Sequence, residues 1–138
     1  MLSSTLEDTL RLFGKERFRP MQRELVECAL EGRSCIGILP TGSGKSLCYQ
    51  IPAVLGNGLT VVVSPLIALM KDQVQNLRKR GIKALAIYSG MTRQEILTAL
   101  ENCIFGNYKF LYISPERLDT DIFRTKLRSM KVLSLIHI

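Results

Sequence analysis

Ile36-Gly-Ile-Leu-Pro-Thr-Gly-Ser-Gly-Lys-Ser-Leu-Cys-Tyr-Gln50 is the stretch on which the reading of this chain turns. Ile36, Ile38 and Leu39 read as the end of a buried strand. Gly42 and Gly44 read as a turn where a Cβ would block the backbone, and Lys45-Ser46 as the opening of a helix. Strand, glycine turn and helix N-terminus, in that order, make an anion cradle. Backbone N–H groups from Gly42 to Lys45 can converge on one hollow, and the positive end of the helix dipole adds to them. The pattern predicts a nucleotide there. Pro40, Thr41, Gly42, Ser43 and Gly44 would form the cradle, Lys45 would reach the β- and γ-phosphates, and the Ser46 hydroxyl would ligate Mg²⁺. The strict phosphate-loop pattern asks for Gly where Leu39 stands, and a bare Gly-Lys-Ser is common. The flanking strand and helix are what sharpen the reading. A plain glycine turn ahead of a helix is the bland alternative.

The composition sets bounds around that stretch. With 138 residues, 46% of them hydrophobic and 22% charged, the chain is expected to be one globular domain with a core. Nineteen Lys and Arg against twelve Asp and Glu give a net charge of +7, which suits an anionic partner such as nucleic acid. No apolar run approaches the roughly 18 residues of a membrane helix. The first residues lack the basic start and apolar core of a secretion signal, so a cytosolic protein with no membrane partner is expected. Cys28, Cys35, Cys48 and Cys103 form no C-x-x-C pair and each falls in an apolar pattern, so they read as reduced core residues.

Strands and helices alternate along the chain. Ser4-x-x-Glu7 reads as a capping box opening a helix with Leu6, Leu10 and Phe13 on one face, ended by Gly14. Pro20 is placed to start a second helix, with Leu25, Val26, Ala29 and Leu30 as its apolar face and Gly32 as its stop. Leu59–Val63 reads as a strand buried on both faces. Ser64-Pro65 is then expected to cap a helix carrying Leu66, Leu69, Met70, Val74 and Leu77, up to Arg78-Lys-Arg80. A strand follows from Ala84 to Tyr88, then a helix opened by the Thr92-x-x-Glu95 capping box and running to about Glu101. Phe110–Ile113 is another strand, followed by Ser114-Pro115 and a short helix. A helix near Asp121–Ser129 leads to a last strand at Val132–Ile136.

That alternation predicts an α/β fold with a parallel sheet and right-handed crossovers. Ligands of such sheets gather outside the carboxyl ends of the strands. Pro40–Ser46, Ser64-Pro65 and Ser114-Pro115 would each set a helix N-terminus at that edge. Ser at the cap and Pro at the first helical position is also simply a good helix start. Three such termini in a basic domain suggest a row of anion sites, one for a nucleotide and two for a phosphodiester backbone.

Four blocks carry a resemblance. Phe13-Gly14-x-x-x-Phe18-Arg19-Pro20-x-Gln22, Leu39–Pro52, Thr60–Val74 and Leu111–Leu118 resemble, in order and spacing, the early motifs of RecQ-type DNA helicases. The resemblance implies part of a P-loop, RecA-like first motor domain of a superfamily 2 helicase. Such an enzyme uses ATP and Mg²⁺ to unwind DNA with 3′-to-5′ polarity in recombination and repair. It would reside with the nucleoid in a bacterium or in the nucleus of a eukaryote. Residues 1–32 would be N-terminal helices with an adenine-recognising motif, and 33–138 an incomplete ATP-binding domain.

By the same resemblance Gln22 matches a glutamine that reads adenine. A carboxamide can pair with the N6 amino group and N7 together. Arg19 matches its neighbour at the base. Ser64, Pro65 and Gln73, with Ser114, Pro115 and Arg117, match motifs lining the DNA track. Two departures stand out. Lys15 replaces an aromatic residue that would stack on adenine. The last strand reads Leu135-Ile-His-Ile138, where the family delivers an Asp-Glu-x-His box that holds Mg²⁺ and orients the attacking water. His137 has no acidic neighbours and reads as a strand residue. The second motor domain and its arginine finger, itself able to contribute about 10³–10⁵ in rate, are not in these residues either. ATP binding without appreciable hydrolysis or unwinding is therefore expected, with an apolar sheet edge near the phosphate-loop strand. Two other readings stay open: a self-standing nucleotide- or DNA-binding module, and a P-loop enzyme of another class such as a small-molecule kinase.

Overall fold

Leu6 and Leu10 recur at helical spacing, and both are buried in α1 (Leu2–Leu12), with Phe13 buried just past its end. The computed structural model describes residues 2–33 and 45–137, in two units, Met1–Asn57 and Gly58–Ile138. The strand expected at Ile36–Leu39 and the cradle residues Pro40, Thr41, Gly42, Ser43 and Gly44 lie outside the described residues.

In the first unit α1 already includes Ser4, so Ser4 is not the cap expected of it. Nothing ahead of Ser4 breaks a helix, and the helix starts earlier. Helix α2 (Gln22–Leu30) begins two residues after Pro20, because Met21 takes a left-handed φ of 71°. Pro20 therefore shapes the turn before α2 and does not open it. The buried face is narrower than the pattern suggested: Val26 is fully buried, Leu25 and Leu30 are half-buried, and Ala29 is exposed. Helix α3 (Leu47–Leu55) follows Lys45-Ser46 as expected and packs against both α1 and α2. Leu47, Ile51 and Ala53 are its buried residues.

The second unit is a sheet covered on both faces. It comprises β1 (Leu59–Val63), α4 (Ile67–Lys79), β2 (Ala84–Ile87), α5 (Arg93–Phe105), β3 (Phe110–Ile113), α6 (Pro115–Leu118), α7 (Asp121–Leu127) and β4 (Val132–His137). The four strands lie in the order β2-β3-β1-β4, and every pair is parallel. Residues 60–63 of β1 stand opposite 110–113 of β3, which stand opposite 84–87 of β2.

Side chains alternate across a strand. Val61, Val63, Ile87, Leu111 and Ile113 accordingly share one core with Ile96, Leu100 and Cys103 of α5 and Phe123 of α7. Tyr112 points the other way, to α4. All five residues of β1 are buried, which is why it shows no polar alternation. The connections are α/β crossovers, as the alternation requires.

Local devices explain the boundaries. Thr92 and Glu95 form the reciprocal capping box: Thr92 Oγ1 accepts from the Glu95 amide at 3.1 Å, and Glu95 Oε1 from the Thr92 amide at 3.0 Å. Helix α5 runs on to Phe105, one turn past the expected end. Ahead of β1, Gly58 has φ +123°, and a Cβ there would lie 2.7 Å from the Lys131 carbonyl oxygen. The Leu59 amide donates to that same oxygen at 2.7 Å, so only glycine lets the start of β1 come this close to the approach to β4.

Burial also decides one titration. Desolvation pushes the Cys103 thiol up from 9.0 to about 12. Above pH 9.0 the unfolded chain releases this proton while the folded chain keeps it, so the thiol's contribution to stability is present below 9.0 and is lost as the pH rises towards 12. Urea unfolding on either side of pH 9.0 is expected to show this decline, at up to about 1.4 kcal/mol per pH unit, and Cys103→Ala to flatten it by that amount.

Candidate functional site

In the first unit the candidate nucleotide residues stand at two helix starts. Ser46 is the N-cap of α3, with helical dihedrals of −61° and −33°, and its hydroxyl makes no capping bond. Its carbonyl instead accepts the amides of Tyr49 and Gln50 at 3.3 and 3.0 Å, which winds the first turn. Lys45 is exposed, and among the described residues its ammonium has no hydrogen-bond or ion-pair partner. An uncommitted ammonium beside an uncommitted hydroxyl, at the entry to a helix, is the donor set that a triphosphate and a hard cation need. Lys45 and Ser46 thus fit ATP and Mg²⁺ on their own chemistry.

The Arg19–Gln22 segment differs from the expectation. Gln22 is only 1% exposed, and its Oε1 accepts the Arg19 amide at 2.7 Å across the turn. The turn is braced again by Arg23, which pairs with Glu27 at 2.9 Å and lies 5.7 Å from the centroid of the Phe18 ring. A cleft of about 470 Å³ beside the turn is lined by Arg19, with Leu10, Arg17, Phe18 and Pro20 among its other walls, and not by Gln22. Arg19 and Lys15 are exposed. Phe-Arg-Pro-x-Gln therefore acts first as a folding device, with the glutamine holding the turn from beneath.

In the second unit Ser64 and Ser114 follow the paired ends of β1 and β3, where Val63 stands opposite Ile113. Both continue the ladder: the Ser64 amide donates to Ile113 at 3.1 Å and the Ser114 amide to Ile87 at 3.0 Å. The two Ser-Pro pairs diverge from there. Ser114 stands at the N-cap position of α6 and Pro115 is its first residue, as expected, although the Ser114 hydroxyl makes no capping bond. After β1 the chain bends at Pro65, the Ser64 Oγ accepts the Leu66 amide at 3.2 Å, Leu66 is extended, and α4 starts only at Ile67. Ser64-Pro65 is thus a turn ahead of α4 and does not cap it.

Both serines are buried, at 0 and 2% exposure, and among the described residues the Ser114 hydroxyl is a buried polar group without a partner. Pro65 is exposed, while Pro115 and Arg117 are half-buried. Gln73 is already engaged, since the buried Tyr112 hydroxyl donates to its Oε1 at 2.7 Å. Tyr112→Phe removes that donor from a core site and is expected to cost about 0.5–1.5 kcal/mol in urea denaturation.

Sequence reasoning missed a cavity of about 460 Å³ where β2 and β3 end. Ile87 and Ile113, the last residues of those strands, line it, together with parts of α5, α6 and α7. Arg93, Arg117 and Asp121 also border it. Arg93 directly follows the capping threonine and Asp121 opens α7, so the capping signals marked their places, but only the crossovers bring them together.

A parallel sheet between helices, with Lys45-Ser46 at a helix start earlier in the chain, is the arrangement of the RecA-like class of α/β nucleotide-binding domains. The family profile of DEAD/DEAH box helicases matches residues 19–136, and the chain belongs to that family. It is 45% identical over 129 residues to the ATP-dependent DNA helicase RecQ of Synechocystis sp., covering 93% of this chain and 27% of that protein. With the ATP-dependent DNA helicase RecQ of Bacillus subtilis it shares 47% identity over 121 residues, covering 87% of this chain and 20% of the relative. The chain thus spans about a quarter of the length of the curated relatives it matches, or less. A crystal structure of the DUF1998 helicase MrfA bound to DNA and AMPPNP superposes with a TM-score of 0.77 at 19% identity, over 96% of this chain and 20% of that one. That likeness speaks to the fold. No described helix is long and apolar enough to cross a membrane.

Proposed function

We propose that these residues are the nucleotide-binding part of an ATP-dependent DNA helicase of RecQ type. The observation that carries the reading is the pair Lys45 and Ser46, which lead into α3 and are both uncommitted among the described residues. Family membership and the names of the relatives support it. Lys45 neutralises the β- and γ-phosphates, Ser46 ligates Mg²⁺, and Pro40, Thr41, Gly42, Ser43 and Gly44 supply the backbone cradle. Arg19 borders the base. Gln22, which braces the Arg19 turn, is assigned to adenine by its match to the family's glutamine.

On the DNA side the burial of Ser64 and Ser114 shifts the work to other groups. Arg117 and the main chain around Pro65 and Pro115 make the phosphodiester contacts, and Gln73 supports them through Tyr112. Residues 1–138 contain no Asp-Glu-x-His box, so a polypeptide limited to them holds Mg·ATP without turning it over.

The reading is tested by nucleotide selectivity. In displacement of a fluorescent ADP analogue, Mg·ATP is expected to compete about tenfold better than Mg·GTP, the equivalent of one good hydrogen bond to adenine. Equal competition would remove adenine recognition from the account and favour a phosphate-only site.

A further inference from the structure

The cavity at the carboxyl ends of β2 and β3 is larger than backbone contacts require. We propose that it captures one unstacked nucleobase bearing an exocyclic amino group, from a single strand whose phosphates meet Arg93 and Arg117. This rests on the DNA-binding reading above and adds a base pocket to it.

Two kinds of surface meet there. Ile87, Leu100, Ile113 and Phe123 are buried and form an apolar floor. Arg93 and Asp121 are exposed and Arg117 is half-buried, so charge is confined to the mouth. Among the described residues neither guanidinium has a hydrogen-bond or ion-pair partner, nor does the Asp121 carboxylate. Thr120 is taken: its hydroxyl donates to the Arg117 carbonyl at 2.7 Å and accepts the Phe123 amide at 3.4 Å, which fixes the corner between α6 and α7.

The volume, about 460 Å³, lies within the roughly 300–1,000 Å³ of small-molecule sites and suits a base with its sugar. A flat, weakly polar ring fits the apolar floor. Two free guanidinium groups fit the flanking phosphates, and they can also lie against the base plane. The Asp121 carboxylate, the acidic side chain among the lining residues, selects the edge of the base. Cytosine offers it an N4 amino donor, whereas thymine presents a carbonyl oxygen at that position and keeps only its N3–H as a donor beside it. An aliphatic ligand would leave all three charged groups unanswered.

The test uses the 138-residue chain and fluorescence anisotropy with three oligonucleotides of one length: oligo-dC, oligo-dT and a fully abasic strand. Oligo-dC is expected to bind about tenfold more tightly than the abasic strand, the scale of one stacked base, with oligo-dT between them. Ile122→Trp, which fills the cavity from a half-buried wall, is expected to bring oligo-dC down to the abasic level. Should that variant fold poorly, Asp121→Asn at an exposed position is expected to erase the difference between dC and dT alone. Arg93→Ala and Arg117→Ala should each reduce the slope of log affinity against log salt by about 0.7. Equal binding of all three strands, or a base advantage untouched by both Ile122→Trp and Asp121→Asn, overturns the base pocket and leaves backbone binding standing. Binding to none of them overturns the DNA reading itself, and the pocket with it.

Discussion

Lys45→Ala is expected to weaken Mg·ATP binding by about 10- to 100-fold, the loss of one charge-assisted contact of about 1.5–3 kcal/mol. Lys45 is exposed and, among the described residues, touches no partner, so its removal leaves no buried group unsatisfied. The thermal midpoint of the variant should therefore match that of the parent chain. This separation of binding from stability is the useful part of the prediction. A structural lysine would lose both together, and a bystander would lose neither. Displacement of a fluorescent nucleotide, run beside a melting curve, reads the two quantities on one preparation.

Phe110→Ala is the largest effect expected on the fold. Phe110 is fully buried and begins β3, which is paired with β1 on one side and β2 on the other. Its ring lies 6.2 Å from that of Tyr112, so both rings fill the same layer on the face opposite the α5 core. Truncation leaves a cavity that neighbouring strands cannot close without shifting register. The cost should be about 3–5 kcal/mol. Against a total stability of about 5–15 kcal/mol, that is a large share, and the urea midpoint of the second unit should fall accordingly. Urea denaturation followed by circular dichroism checks it. The same truncation at Leu135, which is 58% exposed on β4, is the control and should change the midpoint little.

How far the sequence could be read depended on whether a signal was local. The run Leu59–Val63 has no polar residue facing solvent, and a strand buried on both faces is the simplest structure that tolerates it. The Thr92–Glu95 box declares itself because both of its bonds join residues three apart. Ser-Pro shows the limit. Ser114-Pro115 opens α6, yet after Ser64-Pro65 the next residue, Leu66, stays extended and α4 starts later. Proline favours a helix start without enforcing one, and here the Ser64 hydroxyl holds the Leu66 amide outside the helix.

The site was legible in the same uneven way. Lys45-Ser46 at a helix start follows from a short motif. That Gln22 is buried under its own turn does not, because the bond to the Arg19 amide depends on the left-handed Met21. Nor could the pairing of Tyr112 with Gln73 be read, since 39 residues separate them. Arg93, Arg117 and Asp121 converge only once β2 and β3 are neighbours, which is a property of the crossovers and not of any window of sequence.

Everything proposed for the first unit follows from one property: the helix start carrying Lys45 and Ser46 takes up a magnesium nucleotide. Isothermal titration of the folded chain with Mg·ATP measures this most directly. Saturable uptake of one nucleotide is expected, weakened when Mg²⁺ is chelated and about 10- to 100-fold weaker in Lys45→Ala. Absence of any heat of binding at millimolar Mg·ATP would contradict it.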